Sequence, residues 1–253
     1  MKTAIVTGAS KGIGKAIAYQ LENDGYNVIY VSRSYKNVLQ AKNNIPIKSK
    51  YKGMACKMDV KNIVSVIDVF EKISKRYKSI DLLVNNAGIN SRRVLKKSRA
   101  ESWKNYFDNN LMGWYNEMDT NLGGTYICSM VASKYMLNNG KGNIINISSI
   151  KGKEATSSPG YGASKAGVIK ITRDLAASLS PDIRVNCIAP GFIDTGMTSE
   201  LPEVAKKKYM KQIPLNRFGG VKEIAKVVSF LASENASYIT GTTIDVNGGY
   251  LMS

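Results

Sequence analysis

Ala4-Ile5-Val6-Thr7-Gly8-Ala9-Ser10-Lys11-Gly12-Ile13-Gly14 is the stretch on which the reading of the fold turns. Its apolar, β-branched beginning predicts a strand, its glycines a tight turn, and the residues from Gly14 onward a helix. Glycines in such a turn let the backbone reverse sharply and approach an anion closely. The helix start behind them offers unpaired N–H groups and the positive end of a macrodipole. The spacing is Gly-x-x-x-Gly-x-Gly rather than the general Gly-x-Gly-x-x-Gly. Placed after the first strand, it predicts that Gly8, Ser10, Lys11, Gly12, Ile13 and Gly14 cradle the pyrophosphate of a dinucleotide.

Working outward, short apolar runs alternate with helical patterns along the whole chain. Strands are expected at Thr3–Thr7, Asn27–Val31, Gly53–Met58, Asp81–Asn85, Gly142–Ser148, Ile183–Ala189 and Thr243–Asn247, with helices at Gly14–Asp24, Ile63–Tyr77, Tyr161–Leu179 and Val221–Ser233. Repeated βα units imply an α/β fold with a parallel sheet covered on both faces. No linker or composition break interrupts residues 1–253, so the expectation is one domain: a Rossmann-type, doubly wound sheet of about seven strands. Such a fold expects an acid for the adenosine ribose at the end of the second strand. The chain reads Val31-Ser32-Arg33-Ser34 there. Arg33, with Lys11 from the glycine turn, suits a 2′-phosphate instead, which favours NADP(H) over NAD.

Composition bounds the rest. The formal charge of +17 reads first as lysines solvated on helix faces, next as a field for anionic small molecules such as CoA esters, and last as nucleic-acid binding. Lys206-Lys207-Lys208 lies on a helical stretch, and no helix-turn-helix or aromatic-interleaved pattern accompanies the basic residues. Cys56, Cys128 and Cys187 are odd in number and scattered, so neither a disulfide framework nor a metal site is expected. With no membrane-length apolar run and no signal segment before Ala4, the expected location is cytoplasmic.

The chain contains no histidine, so acid/base chemistry must come from another side chain. Tyr161-Gly-Ala-Ser-Lys165 places a phenol and an ammonium four residues apart, on one face of a helix. A phenol titrates near 10, and a nearby ammonium favours its ionised form, so Lys165 is expected to depress Tyr161.

At this point the chain resembles the short-chain dehydrogenase/reductase family. The motifs, in order and over nearly the whole length, are Thr7-Gly8-Ala9-Ser10-Lys11-Gly12-Ile13-Gly14, Asp59-Val60, Asn85-Asn86-Ala87-Gly88, Asn121, Ser148, Tyr161-x-x-x-Lys165 and Pro190-Gly191. The ending Tyr238-Ile239-Thr240-Gly241 … Val246-Asn247-Gly248-Gly249 looks most like bacterial 3-oxoacyl-[acyl-carrier-protein] reductases. The resemblance implies that Tyr161 donates a proton to a substrate carbonyl as hydride arrives from a nicotinamide. By the same likeness Ser148 would hydrogen-bond that oxygen and Lys165 would hold the nicotinamide ribose. Asn121 would anchor a water behind the lysine. Asp59 and Val60 would bracket the adenine, and Asn86, Ala87 and Gly88 would line the adenosine ribose. Pro190, Gly191, Ile193 and Thr195 would run beside the nicotinamide. Ser149 is a neighbouring hydroxyl, but the family spacing of thirteen residues before the tyrosine (161−148) selects Ser148.

One departure is legible. Trp103–Gly113 and Trp114–Gly124 agree at Trp, Asn, Asp, Asn, Leu and Gly, six of eleven positions, and contain both tryptophans. We read a tandem duplication. Eleven residues make almost three helical turns, about 16 Å, so an insert of that length keeps the faces aligned. It also creates two candidate asparagines, Asn110 and Asn121. Asn121 is preferred because the helix expected at Leu122–Leu137 must feed the Ser148 strand without slack. The extra turns are then expected near the pocket rim or a subunit contact.

The resulting expectation is an NADPH-dependent oxidoreductase that reduces a ketone, foremost a 3-oxoacyl thioester. Acyl carrier protein is a possible partner and a homotetramer or homodimer the expected assembly. Asn138-Asn139-Gly140 and Ser180-Pro181-Asp182, where such reductases grip the carrier, hold no arginine, although Lys141 is close by; Arg92, Arg93, Lys96, Lys97 and Arg99 offer another basic patch. The alternatives are a hydroxysteroid or other small secondary-alcohol dehydrogenase and, in another class, a catalytically silent nucleotide-sensing or nucleic-acid-binding protein. Silent relatives usually lose the serine, tyrosine or lysine, and this chain keeps all three.

Overall fold

Strands rich in apolar residues on both faces need cover on both sides, and the computed structural model supplies it. Residues 2–44, 53–91, 111–199 and 201–252 are described. Among them are β1 (Thr3–Thr7), β2 (Asn27–Ser32), β3 (Met54–Lys57), β4 (Leu82–Asn85), β5 (Gly142–Ile147), β6 (Ile183–Pro190) and β7 (Thr243–Val246). They form one sheet in the order β3-β2-β1-β4-β5-β6-β7, with every neighbouring pair parallel. The helices are α1 (Gly12–Asn23), α2 (Tyr35–Asn43), α3 (Ile63–Arg76), α4 (Gly124–Asn138), α5 (Pro159–Leu179), α6 (Gly196–Ser199), α7 (Glu203–Gln212) and α8 (Val221–Ala232).

Strand alternation sorts the core into two layers. Ala4, Val6, Leu82, Val84, Ile145 and Ile147 face Ile17 and Leu21 of α1 and Ile224 and Val228 of α8. Ile5, Ile29, Leu83 and Ile144 face Phe70 and Ile73 of α3, Cys128 and Ala132 of α4, and Leu175 of α5. Full burial of each large side chain, such as Phe70, contributes about 1.5–3 kcal/mol. The chain is thus the single-domain, Rossmann-type parallel sheet expected, with strand ends within one residue of expectation. Helix α5 begins two residues earlier than expected because Pro159 occupies its opening positions, where a missing N–H costs nothing.

Strand β1 sits between β2 and β4, so the connections leaving β1 and β4 diverge. The crevice at their carboxyl ends is where open α/β sheets bind ligands. The glycine turn follows β1, and Asn86-Ala87-Gly88 follows β4.

Helix α4 is the last part of a longer helical run. Residues 111–117 are α-helical, Met118–Gly123 form a π-helical turn, and α4 continues from there. The block Trp114–Gly124 is therefore helical. Most of the first block, Asn110 included, lies outside the described residues, as do Arg92, Arg93, Lys96, Lys97 and Arg99. No helix among the described residues is long and apolar enough to cross a membrane.

Candidate active site

Thr7 and Asn86 lock the ends of β1 and β4 together. The Thr7 hydroxyl accepts the backbone N–H groups of Asn86 and Ala87, each at 3.0 Å. Asn86 Nδ2 donates to the carbonyls of Thr7 (3.0 Å) and Gly8 (3.3 Å). Gly8 and Gly12 adopt φ +66° and +55°, a region costly for any residue with a Cβ. A side chain on Gly14 would collide with Asn86 Nδ2 and the Gly8 carbonyl. Helix α1 has Lys11 at its N-cap with no side-chain acceptor, and no acid in its first turn. Its leading N–H groups thus remain open to an anion, and this close, Cβ-free cradle fits a dinucleotide pyrophosphate. Ser10 lies in the turn, and Ile13 packs partly on the core.

The other predicted cofactor contacts surround the same crevice. Lys11 and Arg33 are both exposed, following strands whose last turns are paired at Thr7↔Val31. Asp59 and Val60 follow β3. Asp59 Oδ1 accepts the Lys61 N–H at 3.1 Å, and Val60 is buried against Gly124. Across the crevice, Pro190 ends β6 and the Gly191 N–H donates to the Val246 carbonyl at 3.0 Å. Ile193 is buried and bridges to Gly219. The Thr195 side chain stands 3.8 Å from the point where a Cβ on Gly12 would lie, so the loop after β6 faces the glycine turn.

The chemistry gathers at the start of α5. Lys165 is 4% exposed; its Nζ donates to the Ile147 carbonyl at 2.8 Å and lies 5.8 Å from the Tyr161 ring centroid. Burial pulls the lysine down to about 8. Tyr161 does not show the depression expected from its lysine. Its phenol is pushed up by burial, the Ser149 hydroxyl opposes this, and the Glu117 carboxylate adds to it. Lys165 Nζ instead directs a proton to the Ile147 carbonyl, and burial is the largest influence on the phenol.

The two serines also differ from the expectation drawn from spacing. Ser148 continues β5, with its N–H on the Ile188 carbonyl at 2.8 Å. Its hydroxyl turns to α5 and donates to the Lys165 carbonyl at 2.7 Å. Asn146, two residues earlier, reaches Thr172 on the same helix, as period-two alternation requires. Ser149 therefore points the other way. It is the serine whose hydroxyl acts on Tyr161, while its oxygen also accepts the Lys151 N–H at 3.2 Å. A residue count selected Ser148; strand alternation brings Ser149 to the phenol.

Asn121 is fully buried in the π-helical turn, a distortion common at functional sites. Its Oδ1 accepts the Ile89 N–H (2.8 Å), and its Nδ2 donates to the Ile89 carbonyl (2.9 Å) and Ser164 Oγ (3.0 Å). A Cβ on Gly88 would touch both Asn121 Oδ1 (3.3 Å) and Lys165 Nζ (3.4 Å). The structure thus brings Asn121, Lys165 and the end of β4 together. Sequence reasoning missed two features. One is Glu117. The other is an aromatic cluster in which Phe192 stacks on Tyr209 and Phe218 and meets Tyr250 edge-on, at centroid distances of 4.3, 5.6 and 5.1 Å, which seats the segment around α7. Neither leaves a periodic signal, because both depend on contacts distant in sequence.

The buried lysine makes a testable demand on stability. Its folded-state value near 8 lies below the ordinary 10.5, so between these values the unfolded chain holds the extra proton. Folding is penalised while Lys165 must stay charged, below about pH 8, and the penalty is relieved as pH rises toward 10.5. Urea unfolding without added nucleotide should show the parent gaining stability relative to Lys165→Met between pH 7.5 and 10, by at most on the order of 3 kcal/mol. A constant difference across that window would contradict the burial of a charged lysine.

Comparison with known proteins agrees with this geometry. A family model described as enoyl-(acyl carrier protein) reductase matches residues 8–251. The 3-oxoacyl-[acyl-carrier-protein] reductase FabG of Staphylococcus aureus (strain Mu50) is 41% identical over 258 residues, covering 99% of this chain and 98% of that protein. The protein of the same name from Aquifex aeolicus is 39% identical, covering 98% and 96%. A crystal structure of a short chain dehydrogenase from Bacillus anthracis superposes with a TM-score of 0.86 at 32% identity, covering 100% of this chain and 97% of that one. With a glycine turn, a Tyr-x-x-x-Lys helix start and full-length relatives of this kind, the chain belongs to the short-chain dehydrogenase/reductase family.

Proposed function

We propose that this oxidoreductase is an NADPH-dependent ketoreductase of 3-oxoacyl thioesters, of the kind used in fatty acid biosynthesis. The observation that carries the reading is the convergence of Tyr161, Ser149 and Lys165 beside Gly88 at the exit of β4, in a chain aligned end to end with 3-oxoacyl reductases. When bound, the nicotinamide cofactor supplies the hydride. The protein's part is to hold, orient and protonate. Tyr161 gives its phenolic proton to the carbonyl oxygen, and a phenol held above its ordinary value keeps that proton until a basic oxygen arrives. Ser149 takes the role first assigned to Ser148 and donates to the same oxygen. Lys165 would hold the nicotinamide ribose, and Asn121 keeps the β4 exit and α5 in register behind it.

The turn at Gly8, Ser10, Lys11, Gly12, Ile13 and Gly14 would hold the pyrophosphate, Asp59 and Val60 the adenine, and Asn86, Ala87 and Gly88 the adenosine ribose. Pro190, Gly191, Ile193 and Thr195 would flank the nicotinamide. Lys11 and Arg33 would pair with the 2′-phosphate. Tyr126, Met130 and Leu137 are exposed along one side of α4, a surface suited to a second copy of the chain.

Two measurements test the reading. Arg33→Ala should raise KM for NADPH about tenfold or more and leave that for NADH within about twofold, as loss of a charge-assisted pair predicts; equal effects on both cofactors would contradict the 2′-phosphate assignment. A panel of 3-oxoacyl thioesters on CoA and on acyl carrier protein, with steroid and sugar ketones beside them, should consume NADPH fastest with the thioesters. Turnover of the steroid or sugar ketones alone would replace the thioester reading by that of a small secondary-alcohol dehydrogenase.

A further inference from the structure

Glu117 is the most deeply buried carboxylate among the described residues, at 2% exposure. It precedes Asn121 by one helical turn, and its two oxygens have separate occupations. Oε1 accepts the backbone N–H of Ser91 at 2.5 Å. Oε2 lies against Gly160, where any side chain would collide with it, and the ring of Trp114 crowds the same glycine. Ser91 sits two residues beyond Ile89, whose backbone Asn121 holds with both its amide atoms. Gly160 immediately precedes Tyr161. One carboxylate therefore holds the backbone leaving β4 by a hydrogen bond and packs against the first turn of α5.

We infer that Glu117 is a positioning residue for the reaction: it holds the wall that follows β4 in place against the turn carrying Tyr161, and it sets a negative charge facing the phenol. The inference rests on the reading of Tyr161 as proton donor. The charged groups facing Tyr161 among the described residues are Glu117 from helix 111–117 and Lys165 from α5, with the Cys187 thiol of β6 behind the lysine and the uncharged Ser149 hydroxyl beside the phenol. An anion beside a phenol disfavours the phenolate. Glu117 thus keeps the proton on Tyr161, the form that donates to a ketone oxygen. Burial pushes the Glu117 carboxyl itself up, and hydrogen bonding from Ser91 opposes that rise.

Two substitutions separate charge from tether. Glu117→Gln keeps an oxygen for the Ser91 N–H and removes the charge; Glu117→Ala removes both. The Tyr161 titration is read by ultraviolet difference between each protein and its Tyr161→Phe counterpart, without substrate or cofactor. In Glu117→Gln its midpoint should fall by about half a unit or more, roughly threefold more phenolate at a fixed pH below the midpoint. The basic limb of the rate of acetoacetyl thioester reduction should move the same way, with KM within about twofold of the parent. Glu117→Ala should raise KM about fivefold or more, through loss of the tether. An unchanged midpoint in Glu117→Gln would overturn the electrostatic part, and an unchanged KM in Glu117→Ala the positioning part. Because the ultraviolet titration needs no turnover, failure of the ketoreductase reading, seen as a parent protein inert toward ketones, is distinguishable from failure of this inference.

Discussion

Tyr161→Phe should lower ketone reduction by about three orders of magnitude while nicotinamide cofactor affinity changes by less than about threefold. The substitution removes one oxygen and leaves the ring, with its contact to Lys165 Nζ at 5.8 Å, in place. General acid catalysis contributes roughly 10²–10⁴ in rate, and a chain without histidine has no evident substitute at this position. The residual rate would reflect the hydrogen bond from Ser149 and the alignment of the two reactants. Steady-state kinetics with NADPH and cofactor titration by fluorescence check both halves. A loss below about tenfold would mean that water or Lys165 protonates the product, and the assignment of Tyr161 would fall.

The second large effect concerns the paired serines. Ser149→Ala should cost about 10²-fold in kcat, the ordinary consequence of removing one donor from a developing oxyanion. It should also raise the Tyr161 midpoint, because the hydroxyl that lowers it is gone. Ser148→Ala should cost less than about tenfold in kcat. Its hydroxyl is bonded to the Lys165 carbonyl inside the fold, so its loss should show as a destabilisation of about 1–3 kcal/mol in urea unfolding. Parallel kinetics and unfolding of the two variants decide between them. The reverse ranking in kcat would restore Ser148 to the substrate oxygen and require the Ser149 contact to be incidental.

The contrast between these serines shows where sequence reading reaches and where it stops. Strand positions were legible because burial on both faces imposes unbroken apolar runs such as Ala4-Ile5-Val6, and because Gly8, Gly25 and Gly140, each at positive φ, punctuate them. The cofactor crevice was legible for a related reason: a Cβ-free turn leaves glycines in the text. The choice between Ser148 and Ser149 was not, because counting residues back from Tyr161 spans an irregular turn, residues 150–158, whose path the count cannot measure. Strand parity, seen through Asn146 and Thr172, resolves it. The electrostatics were also out of reach. Tyr-x-x-x-Lys predicts a depressed phenol only where burial does not outweigh the lysine, and burial is the largest influence on Tyr161. Glu117 stood in plain view within Trp114–Gly124, but nothing in a helical pattern says that its carboxylate turns inward to Ser91.

The most direct test of the account asks which double bond is reduced, since the matching family model is described as an enoyl reductase and the full-length relatives as 3-oxoacyl reductases. The protein is supplied with NADPH and an equimolar mixture of 3-oxobutanoyl and but-2-enoyl thioesters, and the products are identified by mass and chromatography. The account, with Tyr161 and Ser149 placed to protonate and bind a carbonyl oxygen, predicts the 3-hydroxybutanoyl thioester in amounts matching the NADPH consumed, and an untouched enoyl thioester. Formation of the saturated butanoyl thioester, with the oxo compound left intact, would contradict it.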